Sequence, residues 1–214
     1  MTVDIALIAS PLLGSASWEP VAALLPGAQV VSAETPPATG IAYAQQVLDA
    51  LPDDRQWVLV AHSNAGAVIP YVASRRSVAA LVFVDAILPP PVGEQPLAAP
   101  GFMPFLASLA SSGELPVWTS WWDSVASLFP SAAVQSAVSD QQLRLPLSYF
   151  QSTMDVPAGW DAVPCFYVAF GDTYASERAD ASARGWDVTI LDGAHLHQLV
   201  DPAAVASVIR RACG

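Results

Sequence analysis

Six short apolar runs recur along the chain: DIALIA (4 to 9), AQVVSA (28 to 33), WVLVA (57 to 61), ALVFVD (80 to 85), CFYVAF (165 to 170) and WDVTIL (186 to 191). Runs of this length and continuity read as strands buried on both faces. Helix-length segments lie between most of them, and that alternation predicts a parallel sheet covered by helices on either side, an α/β architecture. One such segment, IAYAQQVLDAL (41 to 51), puts Ile41, Ala44, Leu48 and Leu51 on one face, with Thr39 placed to cap its start and Pro52 to end it. At the other end of the chain, Asp201 and Pro202 form an N-cap and first-turn pair. There Val205, Val208 and Ile209 make an apolar stripe, and Arg210 and Arg211 suit the negative end of the helix dipole.

With 214 residues and 53% hydrophobic content, the chain reads as a single domain over 1–214 with a substantial core. The alternation breaks between about 86 and 157, where prolines punctuate short segments that contain Trp118, Trp121 and Trp122. Linker composition is absent there, because Phe102, Phe105, Leu109 and Val125 also need something to pack on. This is a helical insertion, read either as extra core or as an apolar lid over the carboxyl ends of the strands; its placement favours the lid, with the three tryptophans lining its pocket.

A formal charge of −11 argues against nucleic acid and anionic membrane surfaces as partners, and the apolar lid favours a small apolar molecule. No apolar run approaches the ~20 residues needed to cross a bilayer. MTVDIALIAS reads as a first strand rather than a signal peptide, because it lacks a basic n-region and a small-residue cleavage site. Cys165 opens an apolar run and reads as a small buried hydrophobe, which fits a reducing cytoplasm. The oligomeric state is not legible.

The third run ends abruptly: VLVAHSNAG presents a histidine, a serine and an asparagine where the strand stops. A serine between a buried strand and a helix has the geometry of a nucleophile elbow, in which a sharp turn exposes the hydroxyl and aims a helix N-terminus at it. Alanines stand at 61 and 65, where glycine is usual, and Ser63 as a plain helix N-cap is the alternative. Far downstream, LDGAHLHQLVDP places His195 just after the last strand; His197 is the other candidate. His62 precedes the serine and is expected to pack behind it. Pro70 falls inside the following helix, where its missing N–H would have faced the carbonyl of Gly66, so a kink or loosened turn is expected, tolerated because Gly66 has no side chain.

With the first strand and its Gly14 loop, the AHSNAG elbow, VFVDAILP, an inserted cap and the DVTILDGAH run, the chain resembles the α/β-hydrolases, most closely their small esterase and hydroxynitrile-lyase branch. The resemblance implies a mostly parallel sheet of about six strands and no metal or organic cofactor. It also implies Ser63 as nucleophile, His195 as proton acceptor and the backbone N–H of Asn64 as an oxyanion donor.

The family's acid usually sits three residues after a glycine that closes the penultimate strand, and in FGDTYASE that position is Tyr174. Asp172 is the substitute in the same loop, Asp85 at the end of ALVFVD is the alternative acid, and Glu177 is a third. The family's second oxyanion donor falls on Pro11, which has no N–H. Either the N–H of Leu12 takes over or the Ser10 hydroxyl reaches in; the expectation is that Ser10 Oγ faces Ser63. Two functions follow: a serine hydrolase acting on a small apolar ester, thioester or lactone, or a non-hydrolytic protein on the same scaffold, a biosynthetic lyase or cyclase or a binder without turnover.

Overall fold

A computed structural model describes residues 3–213. All six apolar runs are strands of one sheet: β1 (Val3–Ile8), β2 (Gln29–Val31), β3 (Gln56–His62), β4 (Ser77–Val84), then, after the insertion, β7 (Cys165–Phe170) and β8 (Asp187–Leu191). Every pair is parallel and the order is β2-β1-β3-β4-β7-β8. The chain runs outward from β1 to β2 and then returns to place β3 on the other side of β1. This reversal opens a crevice at the carboxyl ends of β1 and β3, where α/β sheets bind ligands.

The strands are apolar throughout because each face meets its own core. Alternate side chains (Ile8, Leu59, Ala61, Phe83, Tyr167) join the core shared with the insertion, while Leu7, Val58, Val60, Val82 and Val168 face the opposite side. On that side lies the helix Pro202–Ala212, which contributes Val205, Val208 and Ile209 and is capped by Asp201 Oδ1 accepting from Ala204 N at 2.9 Å. Each leucine or valine buried in these layers contributes roughly 1.5–3 kcal/mol.

The helix Gly40–Ala50 is capped by Thr39 Oγ1, which accepts from Ala42 N at 3.2 Å. Its buried face differs from the expected one: Ile41 is exposed and Tyr43 and Val47 take its place beside Ala44 and Leu48. The Tyr43 hydroxyl donates to the carbonyl of Ala9, and this anchor turns the helix so that Ile41 falls at the margin of the buried arc.

The insertion has a neck that periodicity did not disclose. β5 (Gly93–Pro96) and β6 (Thr153–Val156) pair antiparallel, so the two ends of the inserted segment are zipped together. GEQP is too polar and too short to read as a strand, and its partner lies about sixty residues away. Between them run short helices, including Met103–Leu109, Trp118–Ser120 and Leu147–Gln151. Cys165 and Cys213 are both free.

Candidate active site

The turn after β3 is strained. Ser63 has φ +58°, a left-handed conformation that side-chain-bearing residues rarely adopt and that costs about 1–3 kcal/mol. From it the chain enters a 3₁₀ segment, Ser63–Val68, and only then the α-helix Ile69–Ala73, with Pro70 in its first turn. The loosened turn expected from Pro70 is present: Ile69 N, not residue 70, donates to the carbonyl of Gly66. Gly66 is required for a different reason from the one anticipated, since a Cβ there would lie 2.1 Å from the carbonyl oxygen of Ile87. That close approach, with Ile87 N donating to Ser63 O at 3.1 Å, welds the elbow to the segment leaving β4.

β4 is followed at once by a second left-handed residue, Asp85, at φ +42°. The neighbouring strand fixes it: Asp85 N donates to Val168 O at 2.7 Å and Phe170 N donates to Asp85 Oδ1 at 3.0 Å. The other carboxylate oxygen, Oδ2, lies 2.7 Å from His195 Nδ1, and His195 Nε2 lies 3.0 Å from Ser63 Oγ. Donor counting orients the chain. A carboxylate oxygen only accepts, so Nδ1 carries the imidazole proton, Nε2 is bare, and Ser63 donates its hydroxyl proton to it.

The structure therefore brings Asp85, His195 and Ser63 together and does not bring Asp172. Asp172 is 91% exposed at its side chain and pairs with Arg178 at 3.6 Å, so its selection from the sequence as the acid is corrected to Asp85. The reason lies in Gly171, whose left-handed turn (φ +60°) sends Asp172 outward and carries Tyr174 back over the site. Glu177 lines the cavity in front of Ser63, but its Oε2 accepts from Ser176 Oγ at 2.7 Å. His197 is turned away, its ring packed against that of Phe170 with centroids 5.4 Å apart.

Ser10 also departs from expectation. It is fully buried and does not line the cavity, because Ser10–Leu13 is a tight turn with Pro11 at its second position, closed by Leu13 N donating to Ser10 O at 2.9 Å. Within that turn the Ser10 hydroxyl accepts from Leu12 N at 3.5 Å, the long limit of a hydrogen bond. Leu12 does line the cavity, as does Asn64. The N–H of Asn64 sits in the first turn of the 3₁₀ segment, where helical amides have no intrahelical acceptor. Its side chain is clamped to the insertion, with Asn64 Nδ2 donating to Leu97 O at 2.7 Å and the Tyr149 hydroxyl donating to Oδ1 at 2.6 Å.

The cavity has a volume of about 630 Å³ and is walled by Ile87, Leu97, Phe102, Phe150, Trp121 and Trp122. Trp118 does not line it and instead packs near His195, ring centroids 6.2 Å apart. Among the described residues, no group of three or more His, Cys, Asp or Glu is placed to hold a metal ion, and no helix is long and apolar enough to cross a membrane.

Two site residues carry roles that the sequence did not disclose. The Tyr174 hydroxyl lies 3.4 Å from Ser63 Oγ, with its ring against His195. His62 is fully buried, stacks on His195 at 4.7 Å between centroids and donates from Nε2 to the carbonyl of His195 at 2.9 Å, which leaves its buried Nδ1 without a partner. Burial, and then the neighbouring His195, hold its pKa well below the ordinary 6.5. Below pH 6.5 the unfolded chain takes up a proton that the folded chain refuses. Stability from this group is thus complete above pH 6.5 and falls as the pH drops, by up to about 1.4 kcal/mol per pH unit. Denaturant unfolding at pH 7 and pH 5 should show a wild-type stability difference larger than that of His62→Gln, by up to about 2 kcal/mol. Equal differences would show that His62 titrates normally.

Parallel sheet, elbow serine, returning histidine and inserted cap together define the α/β-hydrolase class. A model of the alpha/beta hydrolase family matches residues 8–208, and the chain belongs to that family. No curated protein matches the sequence significantly. Among solved structures, an extracellular α/β-hydrolase from a Paenibacillus species, described as sharing structural and functional homology with tobacco salicylic acid binding protein 2, is 19% identical with TM-score 0.73 and covers 99% of each chain. An Arabidopsis methylesterase is 16% identical with TM-score 0.72, covering 99% of this chain and 98% of its own. A pyrethroid hydrolase from Sphingobium faniae is 21% identical with TM-score 0.67, with the same coverage.

Proposed function

We propose that the protein is a serine hydrolase that cleaves a small, uncharged, largely apolar ester, with thioesters and lactones in the same range, through an acyl-enzyme on Ser63. The observation that carries this reading is the hydrogen-bonded series Asp85–His195–Ser63 at the wall of an apolar cavity. Ser63 Oγ attacks the carbonyl carbon while its proton passes to His195 Nε2, and Asp85 holds the imidazole tautomer and stabilises the imidazolium. Collapse expels the alcohol, which takes the proton back from Nε2; water then repeats the sequence on the acyl-enzyme. In this reading the N–H of Asn64 donates to the charge that develops on the carbonyl oxygen, and Leu12, at the cavity wall with its N–H held only by the 3.5 Å bond to Ser10 Oγ, supplies the second donor.

Similarity to a methylesterase and a pyrethroid hydrolase supports hydrolysis. The apolar walls favour an acyl or ring portion without charge. Among the described residues that line the cavity there is no Lys or Arg and there is one carboxylate, Glu177, so an anionic substrate is disfavoured. The second reading, lyase or cyclase chemistry or binding alone, draws on one observation: Pro11 removes an oxyanion donor, a loss that typically costs ~3 kcal/mol of transition-state stabilisation. A fluorophosphonate separates the two. Stoichiometric labelling of Ser63, located by peptide mass spectrometry and lost in His195→Ala, is the expected result; folded wild-type protein that stays unlabelled would remove the hydrolase reading.

A further inference from the structure

The triad leaves one polar group beside the nucleophile unused. Ser63 Oγ has two neighbours, His195 Nε2 at 3.0 Å and the Tyr174 hydroxyl at 3.4 Å. Its single proton is directed to Nε2, because Asp85 fixes the other imidazole nitrogen as the donor. Of the two hydroxyls, the phenol is then the one left to donate across their long 3.4 Å separation. Tyr174 is thus the outer donor of a one-way series: Tyr174 to Ser63, Ser63 to His195, His195 to Asp85.

That series cannot survive attack unchanged. Once Oγ bonds to the carbonyl carbon it becomes an ester oxygen, a poorer acceptor, and the phenol proton needs a better one. Two oxygens arrive on the same carbon, each roughly 2.3 Å from Oγ given tetrahedral C–O bonds near 1.4 Å. The carbonyl oxygen goes to the amides of Asn64 and Leu12. The leaving oxygen goes toward His195 Nε2, and the Tyr174 ring packs against that imidazole with centroids 5.6 Å apart. β1, which leads to Leu12, and β7, which leads to Tyr174, lie on opposite sides of β3 in the sheet, so the phenol approaches from the leaving group's side rather than from that of Leu12.

Resting on the hydrolase reading above, we propose that Tyr174 is a catalytic residue whose hydroxyl hydrogen-bonds the leaving-group oxygen as the carbon–oxygen bond breaks. In that step the bonding electron pair passes to the leaving oxygen, and the proton that neutralises it comes from His195 Nε2. Tyr174 keeps its own proton throughout. Burial pushes its pKa well above the ordinary 10, so the phenol remains a neutral donor across the working pH range. Its contribution is greatest when the departing alkoxide is most basic.

Leaving-group dependence is the test. For esters of one acyl group, kcat/KM of Tyr174→Phe should fall on the order of 10²-fold for the ethyl ester, the size expected for one donor to developing charge. The loss for the p-nitrophenyl ester, whose leaving group needs no help, should be at least about tenfold smaller. 3-Fluorotyrosine at 174, which keeps the ring and the donor, should stay within about threefold of wild type on the ethyl ester. Equal losses on both esters, or an ethyl-ester rate that does not change, would overturn the proposal. Poor ethyl-ester turnover with 3-fluorotyrosine would overturn it too. Labelling of Ser63 by fluorophosphonate in wild type and in Tyr174→Phe keeps the outcomes separate: if wild type is not labelled, the hydrolase reading itself has failed.

Discussion

Ser63→Ala, His195→Ala and the double variant are expected to lose turnover by nearly the same factor, on the order of 10⁶. The two side chains form a single proton-transfer unit at 3.0 Å, and removing either leaves the other nothing to do. Alanine at Ser63 removes the attacking atom. Alanine at His195 leaves a hydroxyl that must ionise unaided, and also frees the Asp85 carboxylate in a site where it is 1% exposed. Near-identical kcat values in the three variants, with the residual rate supplied by binding and the oxyanion donors, would be the signature of one unit. Losses that multiply in the double variant would show two independent contributions and defeat the assignment. His197→Ala belongs in the same series, and since its ring faces Phe170 rather than Ser63, it should not reproduce the loss.

Asp85→Asn should reduce kcat about 10⁴-fold, whereas Asp172→Asn should leave it within about twofold of wild type. An asparagine at 85 can still accept from Phe170 N through its Oδ1. Its amide nitrogen would then face His195 Nδ1 and donate to it, reversing the imidazole tautomer. Nε2 would carry the proton and could not receive one from Ser63. Folding should survive because the acceptor for Phe170 N is retained. Asp172 has only a solvent-screened pair with Arg178, worth little to either stability or chemistry. A larger loss at Asp172 than at Asp85 would mean that the loop after β7 reorganises in solution to present the first carboxylate.

The sheet is written in the local pattern of the chain. Six continuous apolar runs separated by helix-length segments leave few arrangements other than a parallel sheet covered on both faces, and each of those runs is a strand of the sheet. Strand ends are equally local information, so a serine at the close of β3 and a histidine after β8 both stood out, and the structure places them in contact. Caps at Thr39 and Asp201 and the break at Pro70 were legible for the same reason: each depends on residues within one turn.

Which carboxylate meets His195 is settled by contacts between distant segments. Asp85 and Asp172 both follow buried strands, and the residues around them do not state which one reaches the histidine. The difference is made by the left-handed turn at Asp85, held by the backbone of β7, and by the turn at Gly171 that throws Asp172 into solvent. The same long-range geometry buries Ser10, brings Tyr174 over the nucleophile, stacks His62 on His195 and zips GEQP to a strand sixty residues away. Periodicity reports which face of an element is apolar. It carries no information about which loop crosses which strand end, because that is set by contacts between segments far apart in the chain, and the chemistry of this site lies at those crossings.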